Sequence, residues 1–596
     1  MTPQPDWRNI RNGFEIPTAT YADQPYVVRT DDGAWLCVLT TGSGREGEPG
    51  QGVVSLRSDD CGRTWSPPVP LEPPGGPEAS FAVPVKVPSG RIYCFYNHNT
   101  DDLRAVSADD PPYPGGLCPR VDSLGYYVFR YSDDHGRSWS NERHVVPVRA
   151  MAIDRANPYQ GRIRFFWNVG KPFVHRGAAY VPLHKVGGFG RGFFTRSEGV
   201  LLKSDDLLTA QDPRTICWET LPDGERGLHS PAGGGPIAEE QSAVALSDGS
   251  FFCVYRTVDG HPACSYSRDG GHTWEPPEYL KYAEGRLVKH PRAANFVWKC
   301  ANGRYLYWFH NHGGRDYADR NPAWLSGGVE VDSPTGKRIA WSQPEIFLYD
   351  DDPYIRISYP DLIEDGARRF VTETQKATAR VHEIDARLLA ALWGQFEAPA
   401  NCRDGLLWER EAATGGLSGA FTLPDLPALL EPDPDRADYG TRDLRRGFSI
   451  EVSFTLASLA PGQVLLDNRN EAGAGFCVEV IAGGRVQIRL GDGRSESVWC
   501  GDPDRLQSGR RHHLVVSIDG GPKVITFVLD GQLDDGGRAR RCGWGRYNPN
   551  LRSLDGGPLR LAPALQGALH TVKLYGRALL TSEAIGNYRV QTLGGA

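Results

Sequence analysis

The sequence predicts an all-β protein in two folded parts. A six-bladed β-propeller covers 1–380, a linker helix lies in 381–404, and a β-sandwich covers 405–596. Three features of the chain point there: a turn motif that recurs three times, six strand–turn–strand pairs in series, and a change to strictly alternating strands past residue 405. At 596 residues the chain exceeds the ~100–200 typical of one domain, and 40 % hydrophobic residues can supply more than one core. Gly 70 and Pro 45 imply many turns.

The turn motif is Ser-x-Asp-x-Gly-x-(Thr/Ser)-Trp. Ser58, Asp60, Gly62, Thr64 and Trp65 form the first copy, Ser132, Asp134, Gly136, Ser138 and Trp139 the second, and Ser267, Asp269, Gly271, Thr273 and Trp274 the third. A worn copy, Lys203-Ser204-Asp205-Asp206, falls between the second and third. Recurrence at this interval marks one four-stranded unit per copy. The Asp carboxylate accepts N–H bonds inside the turn, Gly supplies a positive φ, and Trp fills the space between sheets. The strand pairs run Pro25 to Leu39, Phe81 to Tyr96, Pro172 to Leu183, Ser242 to Tyr255, Asn295 to Phe309 and Tyr359 to Val371, each around a Gly. Sheets arranged about an axis bury their faces on one another and leave only short edges.

Past the propeller, Glu383 to Phe396 places Leu388, Leu389, Leu392 and Trp393 at helical spacing. Phe448 to Phe454 alternates strictly, and the strands that follow, His512 to Ile518 and Ile525 to Leu529, each end in an Asp-Gly turn, a sandwich pattern. Trp499, Trp544 and Tyr547 are read as exposed aromatics of that sandwich, with core packing the plainer use.

Net charge of -7 and pI near 6.1 argue against nucleic-acid or anionic-membrane partners. No run of apolar residues is long enough to span a membrane, and no leader is visible at the amino terminus. A cytoplasmic location is the default expectation, a secreted one if a leader has been removed. The twelve Cys lack zinc-type spacing and are expected to be mostly reduced and buried.

In a propeller the inner strands converge on one axial funnel. The residues at those phases are unusually polar: Asp23, Gln24, Glu78, Trp167, Lys171, Glu239, Glu240, Gln241, His290, Arg292, Arg356, Tyr359 and Asp361, with His98, His184, Lys185, Arg256, His310, His312 and Glu373 on the strands beside them. No cofactor or metal is expected, since nothing like HExxH is present.

The repeated turns resemble the Asp-box of the sialidase (neuraminidase) superfamily, and the strands past 405, with Gly567 to Leu579, resemble a laminin-G/concanavalin-like domain, together the layout of trans-sialidase-like enzymes. Glu240 to Gly249 followed by Val254-Tyr255-Arg256 matches the family strand that opens with a Glu and ends in an Arg of the carboxylate-gripping triad. Tyr359-Pro-Asp-Leu362 looks like the Tyr-Ser-Asp-Leu that carries the Tyr nucleophile, and Arg320-Asn321 is similar to the third triad Arg. One departure stands out: where the family has Arg-Ile-Pro, this chain has Asp23-Gln24-Pro25. The acid/base carboxylate would be Glu46 or Glu48 from the first loop, or Asp23 itself, with Lys171, Lys185, Arg256 and Arg292 gripping the anion.

The resemblance implies an exo-acting glycoside hydrolase that removes a terminal acidic sugar from a glycan, with Tyr359 as nucleophile, Glu240 as its base, and Gln241, His98, His184, His310 and His312 as substrate wall. A phenol activated by a carboxylate avoids the repulsion an anionic nucleophile meets beside an anionic sugar. Two readings stay open beside it: a polysaccharide lyase using the histidines and Tyr359 on a uronate, and a non-catalytic carbohydrate-binding protein.

Overall fold

The computed structural model describes residues 5–73, 75–108, 116–164, 166–190, 194–433 and 443–593. It separates into two compact units, one of 13–341 with 352–386, the other of 1–12, 342–351 and 387–596. Two short segments that precede residue 380, 1–12 and 342–351, thus group with the carboxy-terminal unit.

The first unit is a six-bladed propeller. Six antiparallel sheets follow one another along the chain, and within this unit five have four strands and one, in blade 3, has five. Blades 1 to 5 run Tyr21–Glu72, Ala79–Val145, Phe166–Leu221, Glu239–Tyr279 and Phe296–Trp341. Blade 6 is built from Ser358–Asp365, Arg368–Thr374 and Ala379–Glu383, and its fourth strand is Phe14–Ile16 from the other end of the unit, pairing Phe14 with Val381 and Ile16 with Ala379. That strand closes the ring and was not foreseen from sequence. Apolar clusters fill the joints: Val27, Trp35 and Cys37 of blade 1 pack with Ile363, Phe370 and Val381 of blade 6, and Val38 and Leu71 pack with Ala82, Cys94 and Tyr96 of blade 2. Phe81 stacks on Trp167 at 4.3 Å between blades 2 and 3, and Ala243 and Phe251 of blade 4 pack with Leu201 and Leu221 of blade 3.

The three intact turn motifs share one bonding scheme. In each, the Ser hydroxyl accepts the Gly N–H at 2.8 Å, and the Asp carboxylate accepts both the N–H and the hydroxyl of the Thr or Ser four residues on. In the worn copy Ser204 donates to Asp206 at 2.7 Å, so the second of its two aspartates occupies the motif position.

The second unit holds a two-sheeted sandwich, of seven and six strands. Phe448, Ile450, Val452 and Phe454 alternate into a core shared with Phe476, Ile488 and Leu561 of the opposite sheet. On the other face Glu451 accepts from Lys573, Tyr575 and Asn587, the last on the closing helix Thr581–Leu593. The expected helix spans Ala386–Gly394 and buries the four residues anticipated. Trp544 and Tyr547 are buried rather than exposed, at 8 % and 3 %, and the Trp499 indole N–H donates to the Gly543 carbonyl; apolar bodies of this size gain more from packing than from solvent. The amino-terminal and 342–351 segments are fixed within this unit by Arg8 on Asp6 and Asp519, and by Asp351 on Arg445 and Lys523. Among the described residues no helix is long and apolar enough to cross a membrane.

Candidate functional site

Four of the six innermost strands carry the same irregularity. Two residues face one partner at Gln24-Pro25, Phe81-Ala82, Glu240-Gln241 and Tyr359-Pro360, and the first of each pair has positive φ: 52°, 64°, 57° and 49°. A bulge of this kind turns a side chain out of the pleat, and a non-glycine residue held there costs about 1–3 kcal/mol, which surrounding contacts must offset. In blade 4 the offset is visible. The Glu240 N–H freed by the bulge donates to His184 Nδ1 at 3.1 Å, so His184 is a neutral acceptor. Burial holds that imidazole down to about 3.

The bulges of blades 4 and 6 bring Glu240 and Tyr359 together. Tyr359 Oη donates to Glu240 Oε1 at 3.0 Å, and both side chains are buried. Burial first, then the facing Glu240, raises the phenol well above its ordinary range, so it keeps its proton at rest. Burial also raises Glu240, opposed by Arg256, whose Nη1 lies 3.0 Å from Oε2. Arg256 meets Glu239 as well, with Nε 2.7 Å from Oε2, and Arg292 reaches the other Glu239 oxygen at 2.8 Å. Burial opposes ionisation of Glu239, but the two guanidinium groups bring it down to about 2.

Tyr359 lines a cavity of about 260 Å³ together with Glu46, Tyr317 and five arginines, Arg120, Arg256, Arg292, Arg320 and Arg356. Arg320 donates to the Tyr317 carbonyl at 3.0 Å and to Ser358 Oγ at 2.9 Å. Glu46 lies between Arg120, 3.0 Å from Oε1, and Lys376, 3.3 Å from Oε2. Against burial, those two cations lower it well below the carboxylate range. Lys376 also meets Asp23 Oδ2 at 2.6 Å and stands 4.2 Å from the centre of the Tyr359 ring. Asp23 accepts from the Tyr21 hydroxyl at 2.7 Å, while its Oδ1 is buried without a hydrogen-bond partner. Burial raises Asp23 despite Lys376.

Several expected site residues stand elsewhere. Glu48 folds back on its own loop, accepting the Arg45 N–H at 2.8 Å, and Glu46 faces the cavity in its place. Lys171 pairs with Asp361 at 2.6 Å and lines a separate cavity with Tyr26 and Trp298. Lys185 is fully buried against Asp154 and the Arg149 carbonyl. Neither lysine lines the arginine cavity, because each neutralises a buried carboxylate of its own. The Gln241 side-chain amide donates to the Ala238 carbonyl, just before its own strand, at 3.0 Å. His98 is engaged by Thr100 Oγ1 at 2.7 Å, and burial, then Arg143, lowers it to about 4. The His310 N–H donates to His290 Nδ1 at 3.1 Å, and His312 bonds the Asp319 carbonyl at 2.9 Å. These histidines brace strand ends and loops and do not line the cavity. Arg356, which the strand phases had placed toward the axis, does line the cavity; Arg120, Tyr317 and Lys376, which gather at it or beside it, were not among the expected site residues and come from loops outside the repeat.

Residues 435–585 match the family model for the concanavalin A-like lectin/glucanases superfamily. No curated protein matches the chain. Among solved structures, the Trypanosoma rangeli sialidase in complex with 2,3-difluorosialic acid is 12 % identical over 98 % of this chain and 97 % of that one, with a TM-score of 0.42. The intramolecular trans-sialidase from Ruminococcus gnavus is 15 % identical over 64 % of this chain and 99 % of that one, at 0.44. The NanB sialidase from Streptococcus pneumoniae is 14 % identical over 63 % and 70 %, also at 0.44. Most of the second unit's β-sandwich thus falls within the segment that is similar to concanavalin A-like domains.

Proposed function

We propose that the chain is an exo-acting glycoside hydrolase that removes a terminal acidic sugar from a glycan by way of a Tyr359 nucleophile. The observation that carries this reading is the 3.0 Å bond from a buried phenol to a buried carboxylate at the wall of an arginine-lined cavity. About 260 Å³ lies below the ~300–1,000 Å³ usual for larger ligands, which suits one terminal ring and an exo mode.

The steps follow from the groups present. Tyr359 Oη attacks the anomeric carbon while its proton passes to Glu240, and the bond to the leaving oxygen breaks. Asp23, the carboxyl with raised proton affinity and an unengaged oxygen, donates a proton to that oxygen. Water then attacks the glycosyl–tyrosine carbon, giving its proton to Asp23, and Tyr359 leaves with the proton returned by Glu240. Glu46, held ionised, does not serve as the acid.

Tyr359→Phe is expected to abolish turnover on a panel of aryl glycosides of acidic sugars without lowering the melting temperature. Glu240→Gln is expected to cost about 10²–10⁴-fold in kcat. Full activity in either variant would overturn the mechanism.

A further inference from the structure

Among the described residues, none that lines the arginine cavity comes from blade 3. That blade is nevertheless shaped around the bulge that carries Glu240. His184 lies in the long strand Ala178–Phe189, paired with Trp167 on one side and Gly199 on the other. Its ring is fully buried and sits against the rings of Trp167 and Phe194, at 6.3 and 6.0 Å between centres. Backbone pairing and ring packing thus fix where its nitrogens point. His184 was expected in the substrate wall, and it is not among the residues that line the cavity.

The bond from the Glu240 N–H makes Nδ1 the acceptor, which leaves the ring proton on Nε2. Among the described residues that buried Nε2 has no hydrogen-bond partner. A buried N–H without a partner costs stability, and what the ring gives in return is the acceptor at Nδ1. The second bulge residue is seated on the same blade. A Cβ at Gly170 would stand 2.1 Å from the Gln241 carbonyl oxygen, and one at Gly199 would stand 2.1 Å from the Gln241 side-chain nitrogen. Blade 3 is therefore cut away where the bulge lies against it. At the blade 2 bulge the Phe81 N–H goes to the Thr40 hydroxyl at 2.9 Å, an acceptor that can rotate; at Glu240 the acceptor is a ring nitrogen held in one direction.

We infer that His184 is a positioning residue for Glu240, holding through the main chain the bulge whose side chain meets Tyr359. Tyr359 and Arg256 aim the carboxyl end, and His184 fixes the backbone end. Without that acceptor the strained φ of 57° loses one of the contacts that offset it. The strand then relaxes toward the regular ladder, where a one-residue change of register turns a side chain to the other face. Glu240 would leave Tyr359. The inference takes from the proposed reaction only the role of Glu240 as base.

The test compares three variants of the full chain. His184→Asn keeps an acceptor oxygen at the place of Nδ1, His184→Gln offers one only near the place of Nε2, and His184→Leu offers none. All three lose the ring and are expected to melt at similarly lowered temperatures. On the acidic aryl glycoside that the unsubstituted chain turns over fastest, His184→Leu and His184→Gln are expected to lose about a hundredfold or more in kcat. Their KM is expected to change by less than about threefold, while His184→Asn keeps kcat within about fivefold of the unsubstituted chain. Single-residue hydrogen exchange at the Glu240 amide needs no substrate, and it is expected to quicken about tenfold or more in His184→Leu and His184→Gln but not in His184→Asn. Unchanged kcat in His184→Leu, an equal loss of kcat in all three variants, or an unmoved Glu240 amide would overturn the positioning role. Should His184→Leu fail to fold, His184→Asn against His184→Gln decides the question by the same readouts. If the amide responds as expected but the unsubstituted chain turns over no acidic aryl glycoside, His184 still holds the bulge and the hydrolase reading falls.

Discussion

Lys376 stands among Asp23, Glu46 and the Tyr359 ring, so one ammonium faces a buried and a half-buried carboxyl group beside a phenol. Removing one partner of a buried pair costs about 3–5 kcal/mol, more than removing both. Lys376→Met is therefore expected to destabilise the propeller by an amount in that range, and Asp23→Asn with Lys376→Met by clearly less, as read by denaturant unfolding. Equal losses would show that Lys376 acts through packing alone. Residue by residue, what could be read in advance was what the strand repeat positions: Glu240 and Tyr359 lie at equivalent bulges of two blades, and the family register named both. Arg356 was placed by the same strand phases and Glu46 was named from the first loop, whereas Arg120, Tyr317 and Lys376 come from loops whose path no periodicity encodes. Charge alone misassigned Lys171 and Lys185, since a lysine in a strand census does not reveal whether a carboxylate waits behind it.

Turns, bulges and the closing helix carry the next set of expectations. In each intact turn motif one Asp accepts from both the N–H and the hydroxyl of the residue four positions on. Asp60→Ala is expected to cost about 1–2 kcal/mol, because bonds to an ionised acceptor are lost from a part-exposed turn. Activity on any substrate should be unchanged; a loss of kcat without a loss of stability would contradict the scaffold role. Such motifs were legible because their spacing is local. The bulges were not, because a positive φ at Glu240 or Tyr359 follows from packing across blades, and neither residue favours that conformation on its own. In the carboxy-terminal unit, Glu345 accepts the Thr581 and Ser582 N–H groups at the start of the closing helix, and burial lifts its carboxyl to about 7 from 4.5 in spite of those bonds. The native state then binds more protons than the unfolded chain between pH 4.5 and 7, so this group's stabilisation is full below that window and is lost as pH rises through it. A shift of this size corresponds to about 3 kcal/mol. Hydrogen exchange in 581–593 is expected to quicken from pH 5 to pH 8 beyond its intrinsic pH dependence, and Glu345→Gln should flatten that excess; an unaltered excess in the variant would refute the assignment.

At the scale of the whole propeller, loops and strands of blades 1, 2, 4, 5 and 6 supply the lining of one cavity, and the ring is completed by three residues, Phe14–Ile16, laid beside Ala379–Val381. The propeller was legible because turn motif and strand pair recur at a near-constant interval. Its closing strand was not, because pairing between chain ends leaves no local pattern. The grouping of 342–351 with the carboxy-terminal unit was hidden for the same reason: Glu345, Asp351 and their partners are far apart in sequence. The account as a whole stands on Tyr359 becoming covalently bonded to the sugar. The direct measurement is peptide mass spectrometry after incubation with a fluorinated acidic sugar bearing a good leaving group, which slows release of the glycosyl intermediate. The account predicts one added sugar on the peptide containing Tyr359, abolished in Tyr359→Phe. Turnover of substrate with the label on another residue, or with Tyr359 unmodified while the reagent inactivates the protein, would contradict it.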